Sequence, residues 1–258
     1  MLGRQPSLLE RLLILTTSAA AFGLGEKIAT ADDVPQPPPA QVQSPVQELF
    51  KDAKRLYYEQ KGDEAIQKLD QALKYDEKND EVKCLVVDIL AWQGKALASQ
   101  KLHLEISANT FWKHYAGGCV ALAKGDLAES EREYKSALSL APDSSETYCY
   151  LGFLAKKKGD IDGAIELYRK SAELDKTNPV PLANLARILS ERGKYDDAVS
   201  FCNDALKRQK SCFGAYLCRG EVFIKLGNKA GALSDFRAAE ELNPKNNKVQ
   251  QWLAYLRN

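Results

Sequence analysis

Two histidines among 258 residues, His103 and His114, leave the chain little of the side chain that most often moves protons or binds metals near neutral pH. The two share no metal-ligand spacing. The six cysteines (84, 119, 149, 202, 212 and 218) contain no C-x2-C pair, which removes the usual zinc-cluster pattern. There is no G-x-S-x-G, no phosphate-binding glycine loop and no HExxH, and nothing singles out a carboxylate pair for acid–base work. No catalytic residue, metal or cofactor is therefore expected. An excess of one charge is missing too. The 36 basic and 35 acidic residues give +1, which offers no electrostatic footprint for nucleic acid or an anionic membrane. These charges are interspersed, as in "ESEREYK", and read as solvated helix faces. Long apolar runs are also lacking. The uncharged stretch "LLILTTSAAAFGLG" (12–25) falls short of the about 20 apolar residues that a spanning helix needs, so no stable membrane span is expected.

That stretch nevertheless sets residues 1–31 apart. Arg4 and Arg11 supply a basic start, the apolar run follows, and Ala29-x-Ala31 has the form of a cleavage site, so the segment resembles a secretory signal peptide. The expectation is an exported chain, periplasmic or secreted. An organellar presequence or an uncleaved tail, with an organelle lumen or the cytoplasm as the location, is the competing reading. Next, "VPQPPPAQVQSP" (34–45) holds half of the ten prolines. Proline fixes φ and lacks an amide donor, so residues 32–45 are read as a disordered Pro/Gln-rich linker favouring polyproline II. The cysteines stay open between disulfides, in an oxidising compartment, and small apolar core fillers.

What the chain does possess is a period. Gly125, Gly159, Gly193 and Gly227 are each 34 residues apart, as are Tyr134, Tyr168, Cys202 and Phe236. Ala137, Ser171, Ala205 and Ala239 keep the same interval. A fixed interval of this size signals stacked supersecondary units. Within one unit Tyr148, Leu151, Gly152 and Ala155 follow helical spacing, and so do Ala164, Tyr168 and Ser171. Between them lies "KKKGD", where Gly159 can end one helix in the left-handed conformation and Asp160 can cap the next. Each unit is thus a helix pair, with small residues where the two backbones approach.

These positions resemble the tetratricopeptide repeat, whose pattern is W-x2-L-G-x2-Y, then A-x3-F, then P. One unit reads Tyr148-x2-Leu151-Gly152-x2-Ala155, then Ala164-x3-Tyr168. Another reads Tyr216-x2-Arg219-Gly220-x2-Phe223, then Ala232-x3-Phe236, then Pro244. The resemblance implies an all-α fold, a right-handed α-solenoid of stacked antiparallel helix pairs. About six units are expected over residues 46–246: 46–79, a degenerate 80–110, then 111–144, 145–178, 179–212 and 213–246. In the degenerate unit Ser99 and His103 take the alanine and aromatic slots. Residues 247–258 carry Val249, Trp252, Leu253 and Leu256 at helical spacing and are read as a capping helix.

The resemblance further implies a concave groove, lined by the first helix of each unit, that binds a protein or peptide segment. Slot counting assigns to it Trp112, Tyr115, Phe153, Lys157, Asn184, Arg187, Leu217 and Glu221. His114 falls in a slot usually held by a large apolar residue, and so reads as a packed or half-buried side chain rather than a ligand. Of the carboxylate clamp that grips chaperone tails only Asn184 matches, so such a tail is not an expected ligand. For Trp112 and Tyr115 two readings stay open: groove anchors, or core residues covered by the degenerate unit. The function implied is that of a non-catalytic interaction scaffold, with a co-chaperone or assembly factor as the alternative.

Overall fold

A computed structural model describes residues 44–257; the signal-like segment 1–31 and linker residues 32–43 lie outside the described residues. Thirteen helices and no strand occur among the described residues. They run in pairs: α1 (Pro45–Tyr58) with α2 (Gly62–Tyr75), α3 (Asp80–Trp92) with α4 (Ala96–Leu104), and α5 (Phe111–Ala123) with α6 (Leu127–Leu140). Then follow α7 (Ser145–Lys157) with α8 (Ile161–Leu174), α9 (Val180–Glu191) with α10 (Tyr195–Arg208), and α11 (Phe213–Lys225) with α12 (Lys229–Leu242). A single helix, α13 (Asn247–Arg257), ends the stack. The fold is an α-solenoid of stacked helix pairs. The first helix takes in the end of the proline-rich stretch. Pro45 is its first residue, where a missing amide costs nothing, and Ser44 and Gln47 close a capping box.

Each turn within a pair needs one residue in the left-handed region. Glycine supplies it at 94, 125, 159, 193 and 227, with φ between 72° and 88°. In the shortened first turn Gln60 takes that role, at φ 63°, because Gly62 has moved into α2. The residue after the glycine caps the next helix where it can: Asp126, Asp160 and Asn228 each accept a backbone N–H two or three residues into it.

Within a pair, the helices interlock through a size exchange. Gly118, Gly152 and Gly220 lie under the rings of Tyr134, Tyr168 and Phe236. A methyl group at these glycines would meet ring carbons at 2.6, 3.0 and 2.7 Å. The fifth pair has Ala186 in the glycine slot and Cys202 in the ring slot, both fully buried, so the methyl added on one helix is offset by the ring lost from the other. In the first pair Ala53 and Leu69 make the same kind of compromise. Serine in an alanine slot is accommodated by bonding: buried Ser130 donates to the Gly118 carbonyl (2.9 Å), and Ser99 to that of Ala96 (2.9 Å). His103 of α4 meets the Lys113 carbonyl at 3.1 Å while Lys113 donates to the His103 carbonyl at 2.6 Å, a reciprocal tie between α4 and α5. His114 is half-buried, with its Nδ1 in a hydrogen bond to Glu133 Oε2 at 2.8 Å.

Apolar side chains of the first four pairs form one core, from Ala53 to Leu154, and two smaller cores follow along α8–α11 and α11–α13. The last depends on α13, whose Val249 and Leu253 are buried and whose Trp252 stacks on Phe236 (centroids 5.6 Å, 2° between planes).

Two predictions test this packing. Cys202→Phe should cost about 1–3 kcal/mol through overpacking against Ala186, and adding Ala186→Gly should recover most of it. Additive losses in denaturant melts would contradict the size exchange. Deleting residues 247–258 should lower stability and promote aggregation by exposing the face that Val249 and Leu253 cover; a parental melt with a monodisperse elution profile would contradict it.

Candidate functional site

The first helices of all six pairs share one inner face, and a cavity of about 400 Å³ opens between them. Its walls come from α1 (Lys54, Tyr57, Tyr58), α3 (Asp88, Trp92), α7 (Glu146, Phe153), α9 (Asn184, Arg187) and α11 (Phe213, Leu217). Ala183 of α9 and Gly214 of α11 also line it, close enough that a methyl group at Gly214 would touch Ala183 Cβ at 3.9 Å.

One end of this face is closed by its own side chains. Asp88 of α3 is buried among hydroxyls, indole and thiol rather than cations. Tyr150 of α7 donates to Asp88 Oδ1, and Trp92 Nε1 donates to the Tyr150 hydroxyl at 2.6 Å. Tyr57 of α1 and Cys119 of α5 also hydrogen-bond into this group. Tyr134 and Tyr150 stack (5.0 Å, 16°), with Tyr115 edge-on to both at 5.7 Å. The knot thus joins α1, α3, α5 and α7 across the face. Burial holds the Asp88 carboxyl up at about 7, with a smaller push from Glu146, against the opposing pull of the Tyr150, Cys119 and Tyr57 hydrogen bonds. At the rim Lys54 pairs with Glu146 at 3.0 Å, bridging residues 92 apart in sequence.

The residues assigned by slot counting divide between this cavity and other places. Phe153, Asn184, Arg187 and Leu217 line it together. Phe153 is half-buried, edge-on to Trp92 (5.6 Å). Arg187 is exposed and has no ion-pair partner among the described residues, and Asn184 reaches only the Cys149 sulfur, at 4.0 Å. Lys157 sits over the Phe153 ring (5.4 Å) and lines a second hollow beyond Trp92. Tyr115 touches the cavity but is only 6% exposed, a member of the main core. Trp112 lies outside the cavity walls, packed on that core beside Phe111 (4.8 Å). Glu221 also lies outside them, accepting from Trp252 Nε1 (3.1 Å) and pairing with Lys248 (2.5 Å) to hold α13.

The slot count passes over the α1 wall and the Asp88 knot. The knot has one signal in the sequence: a carboxylate within the apolar run "CLVVDIL", where an unpaired charge would be expensive. The α1 wall has none, because it depends on how far the stack curves back on itself. Three of the thiols are held in the neutral form, whereas the Cys202 hydrogen bond lowers the Cys218 thiol. Cys84 and Cys119 are pushed up by burial, and burial takes Cys149 up to about 12, so all three stay protonated. No group of side chains able to hold a metal occurs among the described residues.

Because Asp88 is protonated in the folded chain up to about pH 7 but ionises near its ordinary value of 3.8 when unfolded, it makes stability fall as pH rises between those values. Asp88→Asn should flatten that slope and melt higher than the parent at pH 8, by at most about 4 kcal/mol on a three-unit displacement. Parent and variant melts that run parallel from pH 5 to 8 would show that Asp88 is ionised in the fold.

Three tetratricopeptide-repeat profiles match residues 115–179, 155–216 and 213–246, and together cover residues 115–246. Among curated relatives, human tetratricopeptide repeat protein 7B is 28% identical over 150 residues, 58% of this chain and 18% of that one. A Dictyostelium discoideum STIP1 homologue is 33% identical over 78 residues, 30% of this chain and 14% of that one. The chain therefore spans less than a fifth of the length of either. Among solved structures, PilW, a type IV pilus biogenesis factor, superposes with a TM-score of 0.53 at 18% identity, covering 82% of this chain and all of its own; this likeness concerns the fold. With its period, its glycine–ring interlock and three matching profiles, the chain belongs to the tetratricopeptide repeat family.

Proposed function

We propose that the protein is a non-catalytic interaction scaffold that binds a segment of a partner protein in the cavity along its inner face. The observation that carries this reading is the convergence of Phe153, Leu217, Asn184 and Arg187 on one cavity, with the guanidinium free of any ion pair among the described residues. Apolar rings beside a few unsatisfied polar groups are the usual composition of a segment-binding surface. A chaperone carboxylate tail is not the proposed ligand, since the lysine and arginine slots of that clamp are otherwise filled. Export remains part of the proposal, resting on residues 1–31 alone; a native N-terminus at Met1, read by mass spectrometry, would overturn it.

Phe153→Ala should weaken capture of the native partner by about 2 kcal/mol or more, the scale of an interface hot spot, while melting close to the parent. Arg187→Glu should act mainly on association rate and salt dependence. A folded Phe153→Ala protein that captures every native partner at parental affinity would move the binding surface off this cavity.

A further inference from the structure

One charge on the cavity wall has no counterpart. Of the charged groups that line it, Lys54 is matched by Glu146 at 3.0 Å and Asp88 keeps its proton toward neutral pH, so the Arg187 guanidinium is left over. Carboxylates on the neighbouring segments are engaged elsewhere. Glu191, one turn further along α9, meets Lys156 at 2.7 Å, and Glu221 of α11 is held by Trp252 and Lys248. Asp175, ahead of α9, accepts from the Thr177 N–H and hydroxyl at 2.8 and 2.7 Å. Hydrogen-bond donors gather around the leftover charge. Val180, Asn184 and Arg187 follow at steps of four and three along one stripe of α9, and all three line the cavity. Asn178, just before the stripe, lines it too although it is only 4% exposed. Its Oδ1 accepts from the Val180 N–H at 2.9 Å, which leaves the N–H groups of the same amide without an acceptor among the described residues. Asn184 Nδ2 has only the Cys149 sulfur, at 4.0 Å. Unused donors on a buried amide are costly, and an acceptor entering the cavity satisfies them. α9 and α11 also begin here: Val180 and Phe213, their first residues, line the cavity, and neither first turn carries an acidic side chain. The partial positive charge of the helix starts adds to that of Arg187. An ionised carboxylate fits this constellation, because it only accepts hydrogen bonds and every group offered here donates. Its single charge equals the one left over, which a phosphate dianion would exceed.

Resting on the partner-segment reading, we infer that the α9 side of the cavity receives the side-chain carboxylate of a glutamate or aspartate within the partner segment. The exposed guanidinium of Arg187 draws the carboxylate in, and the Asn178 and Asn184 amides donate to it. The acid is internal to the segment rather than its end, because apolar walls stand on both sides of α9: Phe153 on α7 and Leu217 on α11. An apolar residue on either side of the acid thus finds a surface of its own.

The test titrates the full chain calorimetrically with acetyl-Ser-Leu-Glu-Leu-Ser-amide, whose only charge is the glutamate. Saturable binding is expected, and the same peptide with glutamine should bind about tenfold or more weakly, the scale of a hydrogen-bonded charge. Arg187→Gln should weaken the glutamate peptide about as much. Asn178→Asp keeps the acceptor that caps Val180 but withdraws the amide donors, so it should melt like the parent and lose binding to a similar degree. Arg187→Glu should reverse the preference, so that a lysine peptide binds and the glutamate peptide does not. The inference is overturned if the glutamine peptide binds as well as the glutamate peptide, or if no binding is seen at millimolar peptide. It is equally overturned if binding needs a free C-terminal carboxylate, if a phosphoserine peptide binds more tightly, or if the Arg187 and Asn178 variants bind like the parent. Each variant is melted first. Should Asn178→Asp unfold, the Arg187 variants carry the test, since that side chain is exposed and forms no ion pair among the described residues. Failure here is separable from failure of the scaffold reading. A native partner that still needs Phe153 but ignores Arg187→Gln and Asn178→Asp leaves the scaffold standing and removes only the carboxylate acceptor.

Discussion

The close approach of two helix backbones within each pair is the constraint on which the rest of the molecule depends. In three of the six pairs a ring from the second helix lies over a glycine of the first, and the contact leaves no room for a Cβ. Once that distance is set, the apolar stripes of neighbouring pairs come into register and each pair can bury the face its predecessor leaves open. The fifth pair shows that it is the sum of the two volumes that is held, since Ala186 and Cys202 depart from the pattern in opposite directions. Interiors packed to this density tolerate volume-conserving exchange far better than either change alone.

The 34-residue interval made the helices, their turns and the closing helix legible, because each property is local to a unit and recurs. Glycine marked five of the turns, and at three of them (Gly125, Gly159 and Gly227) an aspartate or asparagine follows to cap the next helix, for a reason that any single unit exhibits. The site was legible only in part. Counting slots placed Phe153, Asn184, Arg187 and Leu217 on the inner face, since that face is a property of the repeat. It could not foresee that Glu221 would be bonded to Trp252, because α13 is not a repeat and brings its own donors. Nor could it foresee Tyr58 or Lys54 as walls. Those contacts join residues 92 apart and follow from the cumulative curvature of four pairs, a quantity that no single unit encodes.

Burial of Asp88 is the local cost of that curvature. A carboxyl closed in by Tyr57, Tyr150, Cys119 and Trp92 cannot stay ionised without a cation, and none is supplied, so the fold keeps its proton toward neutral pH. A neutral carboxyl both donates and accepts, which a ring of tyrosine hydroxyls can satisfy. An apolar residue at position 88 would leave the Tyr150 hydroxyl without its acceptor, and buried polar groups left unpaired cost more than the bond itself contributes. The polar knot is thus self-consistent only as a whole. That ties its geometry to the first helix as firmly as to the third.

A solenoid whose units touch only their neighbours behaves as a one-dimensional stack, in which loosening one end leaves the other indifferent. The link from α1 to α7 breaks that rule here. The first four pairs share one core, whereas the fourth and fifth meet through Cys149, Phe153 and Ala183 in a separate one. α7 belongs to both, presenting Tyr150 and Leu154 to the first and Cys149 and Phe153 to the second. A partner lying along the cavity would therefore span the seam between a closed, cross-linked block and a more ordinary stack.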